Sequence, residues 1–178
     1  MKKVVITCGL IAGVIGIAFM AIGMAFFEKE QAGASEVIGY TSLLVSGSLI
    51  FVGIKMFRDK YNGGLVSFGK AFLVGLYITL IASTLYVVAW ALEYKFIFPD
   101  FLDKYAAVMI ARARASGASP EKMAAQLKQL ATYRDMYQNP VFFTLITYAQ
   151  FLPGGLIISL IAALILKKKS NLNTAVAS

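Results

Sequence analysis

The sequence predicts an all-α integral membrane protein: a four-helix bundle with an extracytoplasmic amphipathic helical hairpin between helices 3 and 4. Three observations lead there. Hydrophobic residues make up 59% of the chain and charged residues only 15%, against about a half and about a quarter in a soluble domain. The charges are bunched, which leaves four runs without Asp, Glu, Lys or Arg, at 4–27, 37–54, 71–92 and 141–166. Each can cross a bilayer, because about 20 residues rising 1.5 Å each span a hydrocarbon core of about 30 Å. Finally, the segment between the last two runs has helical periodicity rather than the composition of a tether.

The first run follows Lys2 and Lys3. It is longer than the roughly 7–15 apolar residues of a signal peptide. The small residues Ala32, Gly33 and Ala34 lie beyond a charged stretch, so this run is read as a retained span. Cys8, the single cysteine, lies inside it and excludes an intramolecular disulfide framework.

Lipid gives helices no hydrophobic reason to associate, so spans meet through small residues that let backbones approach. Gly9 and Gly13 form a GxxxG pair in the first span; Gly75, Thr79 and Ser83 repeat every four residues in the third; Gly155 and Ser159 do so in the fourth. These seven are the candidate packing positions, and the GxxxG pair also suits a dimer. The second span is rich in Gly, Ser and Thr from Gly39 to Ser48.

The fourth run contains Pro153, Gly154 and Gly155. Only about 13 residues, about 20 Å, follow the proline, too short a path across the core. The helix therefore begins before it. Proline removes one hydrogen bond and crowds the carbonyl of Ala149, so Gln150, Pro153 and Gly154 are the candidate kink, with the Gln150 side chain one turn away to satisfy a freed group. A broken helix forming a substrate site would call for an intramembrane charge nearby, and the run has none.

The segment from about 100 to 138 reads as two helices. Phe101, Leu102, Tyr105, Val108 and Met109 fall on one face of the first, and Gly117 offers its stop. Ser119 and Pro120 open the second, and Asn139 and Pro140 repeat that cap-then-proline signature before the fourth span. On the second helix Met123, Leu127, Leu130 and Tyr137 form an apolar stripe that also holds Arg134. The stripe packs against the first helix and the bundle, lies in the headgroup layer, or offers a partner-contact face.

Charge placement orients the chain. Lys2 and Lys3, then Lys55, Arg58, Lys60 and Lys70, then Lys167, Lys168 and Lys169 mark both termini and the second loop, while the first loop has one Lys and three Glu. The positive-inside rule puts both termini in the cytoplasm and the 93–140 segment outside. Residues 1–169 form one transmembrane domain and 170–178 a disordered tail. The basic residues sit at membrane edges without the larger patch and exposed aromatics that nucleic-acid binding needs.

Little chemistry is visible. The chain has no histidine, which removes the commonest metal ligand and general base. Glu93, Asp100 and Asp103 cluster at the outer boundary and read as a solvated helix start. No catalytic, cofactor or metal residues are assigned, and the protein is expected not to be an enzyme.

The pieces "EVIGYTSLLVSGSLIFVGIKMFRD", "GGLVSFGKAFLVGLYITLIASTLYVVAW", "FIFPDFLDKY" and "NPVFFTLITYAQFLPGGLIISLIAALILKKK" occur in this order. In this layout the chain resembles domain-of-unknown-function family 4199, four-span membrane proteins common in the Bacteroidetes. The resemblance implies a bacterial inner membrane and an outer helical insertion, and carries no activity to any residue. The expected role is a structural or accessory protein whose hairpin contacts another envelope component, with the bilayer, a protein partner or a second copy as partners. The alternative is a small transporter or channel component using the Ser/Thr-lined bundle and the Pro153 bend.

Overall fold

The computed structural model describes residues 1–28 and 32–168, with backbone alone at 28 and 32–36. The acidic first loop therefore falls largely outside the described side chains, and Lys169 and the tail at 170–178 lie outside the described residues. Among the described residues six α-helices follow one another: α1 (Lys2–Glu28), α2 (Ala32–Met56), α3 (Phe68–Phe96), α4 (Phe101–Ala115), α5 (Pro120–Gln138) and α6 (Pro140–Leu166). A π-helical turn, Phe57–Tyr61, ends α2. Four of these helices are long and apolar enough to cross a membrane: α1, α2 with its π turn, α3 and α6.

The long helices close a ring in the order α1, α2, α6, α3, and α2 also touches α3 across the middle. Large aliphatic side chains such as Val14, Leu44, Leu92, Leu145, Ile157 and Ile165 point outward, while Ala12, Ala71, Thr79, Ser83, Thr147, Ser159, Ala162 and Ala163 are buried. Apolar residues on the outer surface of every long helix suit a lipid solvent. Small residues inside suit close helix contact.

At the end of the bundle holding the N-terminus and the last turn of α6, Val4, Val5, Cys8, Ile54, Phe57, Val66, Val74 and Ala163 form one core. Gly63 and Gly64, at φ 62° and 77°, turn the chain between α2 and α3. Few residues other than glycine adopt these angles. Ser67 caps α3 by accepting from the Lys70 N–H at 3.4 Å. Val66 and Lys168 exchange two backbone hydrogen bonds of 2.9 Å, and Arg58 donates to the Leu166 carbonyl at 3.3 Å, which ties the C-terminus of α6 to this turn.

Helix α3 outruns the apolar segment at both ends, taking in Lys70, Glu93 and Lys95. Hydropathy marks where a helix meets lipid, but its backbone ladder runs on until something stops it. Here the stop is Pro99, whose preceding residue is pushed out of the helical region.

The hairpin of α4 and α5 stands at the opposite end. Its turn is a Schellman closure: Gly117 at φ 67° donates to Arg114, and Ala118 donates to Ala113. Ser119 accepts from the Lys122 N–H at 3.3 Å, and Asn139 accepts from Val141 at 2.9 Å and Phe142 at 3.4 Å. Both caps precede a proline at the first helical position.

Candidate functional site

The small-residue positions on α1, α3 and α6 all face other helices of the same bundle. A Cβ on Gly9 would lie 2.8 Å from that of Ile81, and one on Gly13 would lie 3.0 Å from that of Leu85. The GxxxG pair is thus occupied by α3 rather than open to a second copy. Gly75 sits against Ser159 and Ile50, and Gly155 against Thr79. The Thr79 and Ser159 hydroxyls meet at 3.3 Å, and Ser159 also donates to the Gly155 carbonyl at 2.7 Å. Ser83 is buried close by on α3.

Helix α6 runs unbroken through Pro153, which faces outward. The glycines beside it serve contact. A Cβ on Gly154 would come within 3.1 Å of Leu43 on α2, while Gly155 receives Thr79 of α3. Tyr148, deep in the fourth span, finds its partner in Thr84 at 2.8 Å.

Above this seam the helices part. A cavity of about 350 Å³ lies under the hairpin, and all six helices line it. Helix α1 gives Gly16, Met20 and Gly23; α2 gives Ile38, Gly39 and Ser42; α3 gives Tyr86 and Trp90. The hairpin roofs it with Phe101, Leu102, Tyr105, Tyr133 and Tyr137, and α6 adds Gln150 and Phe151. The glycines explain the space, since they face the cavity where larger side chains would fill it. Below it continues a narrow cleft of about 70 Å³, which shares Gly16, Ser42, Tyr86 and Phe151 with the upper chamber. Ser46, Thr79 and Ser83 line this cleft, and the buried Ser46 hydroxyl has no hydrogen-bond partner among the described residues.

An aromatic cluster fixes the roof. Trp90 meets Phe101 edge-on at 4.9 Å, Tyr137 meets Tyr94 at 5.3 Å and Phe143 at 5.1 Å, and Phe101 reaches Phe27 and Tyr105. Such edge-to-face pairs hold beyond their area burial. Tyr137 packs with Trp90 and Phe143 in this cluster, and burial pushes the Tyr137 phenol above its ordinary range. Further out, Asp103 of α4 and Arg134 of α5 form an ion pair.

A family model described as "Protein of unknown function (DUF4199)" matches residues 7–168. The chain belongs to this family. No curated protein and no solved structure matches it.

Of the stripe expected to offer a partner-contact face, this DUF4199 chain turns Tyr137 into the aromatic cluster. Leu130 lies in the groove between α4 and α5, opposite Leu102, Ala106 and Ile110. Met123 is half-buried, and Leu127 is 48% exposed. The stripe is the inward face of the hairpin over much of its length, because one helical face must cover α4 and the end of the bundle together. The cavity residues Tyr86, Trp90, Phe101, Tyr105, Tyr133 and Phe151 were not among the expected site residues. Their one local signal is the four-residue spacing of Tyr86, Trp90 and Tyr94 along α3. Among the described residues no three of His, Cys, Asp and Glu gather into a metal-binding group.

Proposed function

We propose that this protein is a non-enzymatic, multi-pass bacterial inner-membrane protein that binds an amphiphilic small molecule beneath its extracytoplasmic hairpin. The observation that carries this reading is the roofed cavity of about 350 Å³ to which every helix contributes. Ligand sites of this size are concave, largely apolar and often set between the helices of bundles. The aromatic walls suit a hydrophobic body, and the Ser-lined cleft beneath suits one uncharged polar group. In the proposed topology the eight described basic residues of the terminal end, Lys2 to Lys168, contact the cytoplasmic headgroups. The cavity then lies at the level of the outer leaflet, where an amphiphile would enter from lipid. This belongs with a carrier or an accessory subunit of a transport system.

The test is native mass spectrometry of the protein released from nanodiscs. Wild type is expected to retain a bound amphiphile. Gly39→Phe is expected not to, because a Cβ at Gly39 meets nothing within 4 Å and its ring would project into the mouth of the cavity. Equal retention by both proteins would overturn the reading.

A second reading is favoured by Leu127, a large apolar side chain 48% exposed on the hairpin. In it, the hairpin contacts another envelope component. Crosslinking from position 127 in intact cells tests it, and crosslinks confined to the chain itself would count against it.

A further inference from the structure

Between α5 and α6 runs an open groove of about 490 Å³. Gln129, Thr132 and Tyr133 line it from α5, and Ile146, Ala149 and Gln150 from α6. Each set follows the i, i+3, i+4 spacing that puts residues on one helical face. Tyr133 and Gln150 also line the roofed chamber, so these two side chains stand where groove and chamber meet.

The polar groups of the groove are uncharged. Gln129 and Gln150 supply carboxamides and Tyr133 a phenol, and among the described residues no charged side chain lines it. Both glutamines are exposed, and Tyr133 is 38% exposed, so their donors and acceptors are open to an occupant. The Thr132 hydroxyl already donates to the Lys128 carbonyl at 3.1 Å, which leaves it able to accept. Gln150 lies within the fourth apolar run, about 15 Å along α6 from its start. A carboxamide turned toward hydrocarbon without a partner is costly, and polar side chains at membrane depth usually mark a substrate path.

We infer that the ligand is a single-chain lipid with an uncharged, hydroxyl-rich headgroup. The headgroup lies in the groove against Gln129, Tyr133 and Gln150, and the chain passes between Tyr133 and Gln150 into the aromatic chamber. A hydroxyl both donates and accepts, so a polyol head such as glycerol uses the carboxamides and the phenol together. A phosphate or an ammonium group meets no counter-charge among the described residues that line the groove. This rests on the chamber being a ligand site. It adds a second polar subsite outside the chamber and the chemistry of the group held there.

The experiment follows Trp90 fluorescence in phosphatidylcholine nanodiscs titrated with lipids that share one dibromostearoyl chain. The single tryptophan lines the chamber, so a chain that enters quenches it. The glycerol monoester is expected to quench saturably, at several-fold lower concentration than the methyl ester, which has the chain and no hydroxyl, or the lysophosphatidylcholine. Gln129 lines the groove and is not part of the chamber wall. Gln129→Leu is expected to narrow the preference for the glycerol ester over the methyl ester by roughly two- to tenfold, the scale of one net hydrogen bond. Tyr133→Phe, which keeps the ring, is expected to narrow it likewise. Saturable quenching by the methyl ester is the fold control for each variant.

Equal binding of the glycerol and methyl esters by wild type would overturn the inference while leaving the chamber a ligand site, as would lysophosphatidylcholine binding as tightly as the glycerol ester. A preference unchanged in both variants would overturn the placing of the headgroup in the groove. If no ester quenches saturably, the chamber reading and the inference fall together.

Discussion

The Tyr137 ring on α5 meets the Tyr94 ring on α3 edge-on at 5.3 Å, which holds a long apolar helix to the hairpin above it. Tyr137→Ala removes that contact and the edge-on contact to Phe143 at 5.1 Å. Each such aromatic pair is worth about 0.5–1.5 kcal/mol beyond its area burial. Amides of α5 are therefore expected to exchange with deuterium faster in the variant, by roughly tenfold, while the core amides of α1 and α3 keep their protection.

The same residue predicts a response to alkaline pH. Burial raises the folded-state pKa of Tyr137 above its ordinary 10.0, so above that pH the unfolded form releases its proton first. Stability from this group is complete below about pH 10 and is lost as pH climbs through the raised folded value. Hairpin docking, followed by α5 exchange, is expected to weaken over that range in wild type. Tyr137→Phe should show a smaller alkaline drop, and an identical drop in both proteins would remove Tyr137 as its source.

Glycine positions separate contact from mere tolerance. A Cβ on Gly75 would lie 2.8 Å from Ser159, so Gly75→Ala is expected to destabilise the bundle by about 1–3 kcal/mol through overpacking. Gly69, on the same helix, has nothing within 4 Å of its missing Cβ. Gly69→Ala should be neutral or stabilising by up to about 1 kcal/mol, since alanine is the better helix former. Thermal unfolding of the two variants in one detergent makes the comparison.

The proline and the glycine beside it differ in the same way. Pro153 faces outward on an unbroken α6, whereas Gly154 abuts Leu43. Pro153→Ala is expected to preserve fold and ligand binding, because it restores a backbone donor and removes no contact. Gly154→Leu should reduce both by forcing α2 and α6 apart. Greater damage from the alanine variant would mean that the proline, rather than the glycine contact, shapes the cavity.

Magnitudes also decide what holds the roof. The Asp103–Arg134 pair is largely exposed, and such pairs contribute about 0–1 kcal/mol. Phe101 packs on Trp90, Phe27 and Tyr105, and truncating a packed phenylalanine costs about 3–5 kcal/mol. Limited proteolysis should find the hairpin nearly unchanged in Asp103→Asn and readily cut in Phe101→Ala.

Features written in consecutive residues were legible in the sequence. The caps at Ser119 and Asn139 and the stop at Gly117 each depend on a few neighbours, and local chemistry specified them. The four spans follow from run length alone. Helix α3 extends past the uncharged run at 71–92, to Phe68 and Phe96, because Lys70, Glu93 and Lys95 end the apolar run without ending the backbone ladder. The cavity was beyond such reading, because Gly16, Gly39, Tyr86, Phe101, Tyr137 and Phe151 belong to six separate helices. Only the closed bundle brings them together. The spacing of Trp90 and Tyr94 on α3 shows a shared face, and what that face meets depends on α5 and α6.

The most direct test uses Trp90, the single tryptophan of the chain, which lies in the cavity wall. Its fluorescence is titrated with a brominated amphiphile in nanodiscs, in wild type and in Gly39→Phe. A ligand cavity predicts saturable quenching in wild type that is lost in the occluded variant. Quenching that rises linearly with bromolipid content, to the same degree in both proteins, would mean that Trp90 only senses the surrounding bilayer, and would contradict the account.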